Sequence, residues 1–137
     1  HQPRPTVRAW VLPPDARWEE LVFSFLEAQL LSVRFRGEAR HFNPTELGMN
    51  RGRTGKPTVQ WATLQSFAEV DGVLSWRDSK ANVLIKKQKQ LLSQKLAQAF
   101  GLLGQPIVWD PHTRVYRTLF RISGTPLGFR HARAARR

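Results

Sequence analysis

Leu31, Val33 and Phe35 alternate with Ser32, Arg34 and Arg36. A period of about two gives a strand over 30–36 one apolar and one polar face. The run 20–26, Glu20-Leu21-Val22-Phe23-Ser24-Phe25-Leu26, reads as a second strand, and the link Glu27-Ala28-Gln29 is short enough for a hairpin. Gly37 turns the chain into a third, Ala39-Arg40-His41-Phe42, giving a small antiparallel sheet with one buried face. The period then changes to that of a helix. Trp61, Leu64 and Ala68, widened by Phe67, line one stripe over 58–70. Asp71-Gly72 breaks that helix, and 72–76 predicts a short strand. Residues 80–100 predict a longer helix with Ile85, Leu92, Leu96 and Ala99 on its apolar stripe and Leu84, Leu91 and Phe100 beside it. Its opposite arc carries Lys86, Lys87, Gln90, Ser93, Gln94 and Gln98, with Lys89 and Lys95 at the borders. Alternation returns in strands over 106–110 and 115–122, joined by the turn Asp110-Pro111-His112-Thr113-Arg114. In the second of these, Arg117 and Arg121 share one face and Tyr116, Thr118, Phe120 and Ile122 the other, buried one.

Breakers divide the chain. Residues 1–17 hold Pro3, Pro5, Pro13 and Pro14 and read as an extended leader, because proline fixes φ and removes a donor. Within it Trp10-Val11-Leu12 is an apolar patch, expected to dock on the domain as an edge strand or on a neighbouring piece of a larger chain. Asn43-Pro44-Thr45-Glu46 predicts a capped helix of about one turn before Gly48. Residues 18–122 form the expected domain, and 123–137 a basic tail.

Composition narrows the choices. Five Trp and eight Phe in 137 residues supply a packed core, which excludes wholesale disorder. The absence of cysteine excludes disulfides, cysteine-based zinc fingers and thiol catalysis. No apolar run is long enough to span a membrane. The net charge of +12 is unevenly placed: residues 1–50 are neutral, so the whole excess falls in 51–137. Such asymmetry points to a polyanionic partner.

Chemistry has few candidates. His41, His112 and His131 are dispersed, and no acidic pair has metal-ligand or acid–base spacing. No serine lies in a nucleophile elbow. The reading is therefore non-enzymatic, with no cofactor. Arg51-Gly52-Arg53-Thr54-Gly55-Lys56-Pro57 lacks the spacing of a nucleotide-binding P-loop, and Pro57 stands where Ser or Thr is needed. Its cations, Arg51, Arg53 and Lys56, suit looser contact with a phosphate backbone. Trp61 is expected in the core; Trp76 and Trp109 admit a base-stacking role. The strongest functional signal is the 80–100 helix, with apolar anchors on one face and long donors on the other. Lysine reaches phosphates or guanine, and glutamine bonds an adenine edge.

The order sheet, helix, short strand, basic helix, hairpin resembles a winged helix. More narrowly, 58–122 is similar to the DNA-binding domains of OmpR/PhoB-type response regulators. The residues that carry the likeness are Trp61-Ala62-Thr63-Leu64-Gln65-Ser66-Phe67-Ala68, Leu92-Ser93-Gln94-Lys95-Leu96 and Val115-Tyr116-Arg117-Thr118-Leu119-Phe120. Ser93 stands where that family carries an arginine, and Val115 where it carries a glycine. The resemblance implies an α+β winged-helix domain, preceded by a small antiparallel sheet, that binds double-stranded DNA in the cytoplasm, nucleoid or nucleus as a transcriptional regulator or targeting module. Lys86, Lys87, Lys89, Gln90, Ser93 and Gln94 are expected at the major groove, with Arg51, Arg53, Lys56, Arg114 and Arg117 on the backbone. The alternatives are a protein-interaction module using Trp10 and the leader, or RNA or ribosome binding.

Overall fold

The computed structural model describes residues 9–52, 56–75 and 82–124, with the backbone alone over 82–86. The fold is α+β, with mixed sheets and two helices among the described residues. Strands β1 (Leu21–Glu27), β2 (Leu30–Phe35) and β3 (Glu38–Phe42) form an antiparallel meander. The predicted alternation sets its inner face: Phe23, Phe25, Leu31, Val33 and Phe42 are buried. Arg36 (φ 49°) and Gly37 (φ 89°) make the tight turn between β2 and β3, the left-handed pair that matches strand twist.

Strands β4 (Asn50–Arg51) and β5 (Lys56–Pro57) pair in a two-residue ladder inside what the sequence presents as a basic loop. Helix α1 (Val59–Glu69) follows, then strand β6 (Val73–Ser75) and helix α2 (Asn82–Phe100). Both helices pack on the inner face of the first sheet. Phe25 meets Trp61 nearly edge-on at 5.4 Å between ring centres, and Phe23 meets Phe100 at 5.8 Å. Each such buried aromatic contributes roughly 2 kcal/mol of transfer free energy. Strands β7 (Ile107–Asp110) and β8 (Val115–Thr118) form the predicted hairpin, and β6 adds to it in the order β6-β8-β7.

The continuous strand expected over 115–122 is two strands. Strand β8 ends at Thr118, and β9 (Arg121–Ser123) joins the other sheet, running parallel to β1 in the order β3-β2-β1-β9. The bend is fixed by hydrogen bonds. The Thr118 hydroxyl donates to the Phe120 carbonyl at 2.8 Å, and the Leu119 N–H donates to the Pro106 carbonyl at 2.8 Å. Arg117 and Arg121 therefore lie in different sheets rather than on one face. At 43–48 the expected helix is a series of turns, although its capping box forms. The Glu46 N–H donates to Asn43 Oδ1 at 2.9 Å, and the Asn43 N–H to Glu46 Oε1 at 2.8 Å.

Trp10 and Leu12 are core residues. Trp10 packs on Phe35 and Phe42, and both the Ala9 and Trp10 N–H groups donate to the Ala99 carbonyl at the end of α2. Trp10 is thus unavailable as the partner contact anticipated for it. Trp18 is likewise buried, its indole N–H donating to the Leu103 carbonyl at 2.9 Å. The leader before Ala9 and the tail beyond Gly124 lie outside the described residues.

Candidate nucleic-acid interface

Helix α2 carries lysines at 86, 87, 89 and 95 and no acidic residue. Lys87, Gln90, Gln94 and Gln98 are exposed. Their spacing of three and four residues stacks them in one ridge. Leu92, Leu96, Ala99 and Phe100 form the buried stripe. At about 100° per residue Lys95 leaves the helix on one flank of the ridge, whereas Lys89 falls on the opposite side, in line with Ser93, Leu96 and Phe100. On that side the Lys89 ammonium lies 6.0 Å from the centre of the Tyr116 ring on β8. On the other, Lys95 reaches the 43–48 turns: a Cβ placed on Gly48 would stand 3.8 Å from its Nζ. Two turns earlier, Gln60 Nε2 of α1 donates to Gln88 Oε1 at 2.8 Å.

Ser93 does not join the exposed arc. It is 6% exposed, and its hydroxyl donates to the Lys89 carbonyl at 2.8 Å. Ser93, Leu96 and Phe100 stand on one side of the helix, and Phe100 is drawn into the core by Phe23 and Phe42. The buried sector is therefore turned toward Phe100 and takes Ser93 with it, while Leu91 is left half-buried.

The β7–β8 hairpin supplies the second element. Asp110 organises its turn, accepting from the Thr113 hydroxyl and from the His112 N–H at 3.0 Å. Those bonds, the Thr113 one first, hold its carboxyl below the usual carboxylate range. Arg114 closes the turn with φ 60°, its N–H donating to the Asp110 carbonyl at 2.7 Å. A left-handed residue that carries a Cβ costs roughly 1–2 kcal/mol, which glycine avoids. The Arg114 side chain is exposed and makes no hydrogen bond or ion pair with the described residues.

Arg117 departs from expectation. Strand alternation places it on the face of β8 opposite Tyr116, hence away from α2. There it lies between Val73 and Val108, with its guanidinium 3.5 Å from the Asp110 carboxylate. Trp109 shares the α2-facing side with Tyr116, at 4.9 Å between rings, and is 38% exposed. Burial pushes the Tyr116 phenol above its ordinary value. Trp61 is a core residue, its indole N–H donating to the Ala28 carbonyl at 2.9 Å.

Arg51 and Lys56 are exposed cross-strand neighbours in the β4–β5 ladder. The ladder is fastened beneath by buried Met49, whose carbonyl accepts from the Thr58 N–H at 2.9 Å. Sequence reasoning found both cations but not the ladder that sets them side by side. A two-residue strand containing Pro57 has no periodicity to detect. Arg53, Trp76 and the side chain of Lys86 lie outside the described residues. The structure thus gathers Lys87, Gln90 and Gln94 on one ridge with Lys95 at its flank, turns Lys89 away from the ridge toward the hairpin, and removes Ser93 and Arg117.

Among the described residues no group of three or more His, Asp or Glu is arranged to hold a metal ion. No described helix is long and apolar enough to cross a membrane. No family model, curated protein or solved structure matches the chain.

Proposed function

We propose that this chain is a non-enzymatic, winged-helix-like module that binds double-stranded DNA, as a transcriptional regulator or targeting element. In this reading α2 enters the major groove through Lys87, Gln90 and Gln94. Lys89 stands toward the hairpin side, Arg114 contacts phosphate from the hairpin tip, and Arg51 and Lys56 contact backbone from the other flank. The order α1, β6, α2, β7, β8, with β6 on the returning strand of the hairpin, supports the winged-helix likeness. Residues 76–81, where that likeness would begin a middle helix, lie outside the described residues.

One observation carries the reading. The acid-free helix α2 leaves its Lys87–Gln94 ridge in solvent, while the hairpin, whose exposed Arg114 is unpaired among the described residues, meets α2 at Lys89. Contacts from Lys87, Arg114, Arg51 and Lys56 would give log K against log salt a slope near −4. Fluorescence anisotropy on labelled duplexes across a salt series checks this. No binding to any duplex at low salt would overturn the proposal.

A second reading, a protein-interaction module, draws on a different surface. Val11 and Leu103 are 71% and 94% exposed at the rim of a groove lined by Leu12, Trp18 and Leu102. Protein co-purified through that groove, and lost in Leu103→Asp, would support it.

A further inference from the structure

Two arginines of the first sheet and its turn are committed. Arg36 donates to Glu20 at 2.8 Å and to Asp15 at 3.4 Å, and Arg40 donates to Glu38 at 2.9 Å while covering Trp10. Arg34 on β2 and Arg121 on β9 have no such partner among the described residues, and both are exposed. The register puts them on the outer face, away from the helices. Arg34 stands opposite Val22 of β1, and Val22 stands opposite Arg121. The two arginines therefore flank one valine across three strands, with Cα atoms about 10 Å apart.

The next row, about 7 Å along the strands, reads His41, Ser32, Ser24, Ser123 from β3 to β9. The Ser24 and Ser123 hydroxyls lie 3.5 Å apart. With Ala39 beside Arg34, these two rows contain no carboxylate. The floor is short, three serines and His41 beside Val22 and Ala39, and the two cations are the long side chains on it. Serine hydroxyls and arginine forks suit phosphate oxygens. His41 at the β3 edge is the one aromatic ring in these rows; no Trp, Tyr or Phe stands there as a base-stacking platform.

We infer that this outer sheet face, centred on Arg34 and Arg121, is a second phosphate-binding surface that takes the sugar–phosphate backbone of duplex DNA. It goes beyond the proposed function, because it uses a separate side of the molecule. The ridge of α2 points away from the sheet it packs on, and the outer face points the opposite way. The two surfaces engage different duplex segments, or the two arms of a bent one. A DNA backbone is favoured over an acidic peptide because serine hydroxyls and arginine forks suit phosphate oxygens and the chain carries a net charge of +12.

The test compares four proteins, each the whole 137-residue chain, on two labelled duplexes of different sequence over a salt series: wild type, Arg34→Ser/Arg121→Ser, Lys87→Ala/Arg114→Gly, and the combination. The substituted residues are exposed, and circular dichroism checks that each variant folds. Removing Arg34 and Arg121 is expected to lower the salt slope by about two and weaken binding at least tenfold at low salt, leaving discrimination between duplex sequences unchanged. If only the sheet variant weakens binding, the second surface stands and the α2 reading falls. If only the helix–hairpin variant weakens it, the reverse holds. Loss in both, compounded in the combination, supports both surfaces; loss in neither, or no binding by the wild type, overturns both. Competition by polyglutamate as effective as unlabelled duplex at equal charge would also overturn the assignment of this face to DNA.

Discussion

Two hairpin turns each place an arginine in the left-handed region, and the two arginines are used in opposite ways. At the β2–β3 turn, Arg36 has φ 49°, bonds Glu20 and Asp15, and lies 4.8 Å over the Phe35 ring. At the β7–β8 turn, Arg114 has φ 60° and no side-chain partner among the described residues. The backbone cost is similar, but only Arg36 recovers it within the fold. Strain without an internal return is a mark of a residue held for something outside, which is why the hairpin tip enters the proposed interface.

The largest effect that sharpens this comparison comes from a third left-handed turn, Asp71-Gly72. A Cβ at Gly72 (φ 85°) would meet Thr118 Oγ1 at 2.5 Å and Ile122 Cγ2 at 3.2 Å. Gly72→Ala is expected to destabilise the fold by about 3 kcal/mol in a urea titration. Gly37→Ala, with φ 89° but nothing within 4 Å, should cost only about 1 kcal/mol. Equal costs would mean that φ alone, not the neighbours, sets the penalty.

Next comes Arg114→Gly. It removes the left-handed strain and no side-chain bond, so stability should rise by about 1 kcal/mol while duplex affinity falls about tenfold. Arg36→Gly removes the same strain together with the Glu20 and Asp15 bonds, so its melting point should rise less. An Arg114→Gly protein that is less stable than wild type would erase the contrast between the turns.

The smallest effect is in acid. The Arg36 guanidinium holds the Glu20 carboxyl below its ordinary value of 4.5. A lowered folded-state pKa gives stability that is present above the unfolded value and lost as pH falls through the folded one. Below about pH 4.5, the melting-point gap between wild type and Glu20→Gln should therefore shrink. Asp110, lowered chiefly by the Thr113 hydroxyl, predicts the same convergence for Asp110→Asn at the other turn.

How much of this was legible follows from where the signal lies. Strand alternation at 30–36 and helical spacing at 58–70 and 80–100 are local, and the elements appear with ends within about two residues of expectation. Parallel pairing of β9 with β1 is set across about a hundred residues by burial of Phe120 and Ile122, and nothing near residue 121 announces it. Ser93 borders the apolar stripe beside Phe100, and spacing alone does not say which flank of the stripe meets the sheet. Trp10 carries its apolar signal plainly and docks on the domain as expected, but without the edge strand, in keeping with the prolines beside it. In the candidate site the cations were visible; their sorting into paired and unpaired required the fold.

The bond from Ala9 and Trp10 to the Ala99 carbonyl has a practical consequence. The incoming strand of chain doubles as the end-stop of the long helix and as a lid over Phe35 and Phe42. Any shortened version must start upstream of Ala9, or the last turn of α2 loses its acceptor's partners and the aromatic core opens to water. Whatever is fused ahead of that point pulls directly on the helix proposed to touch DNA.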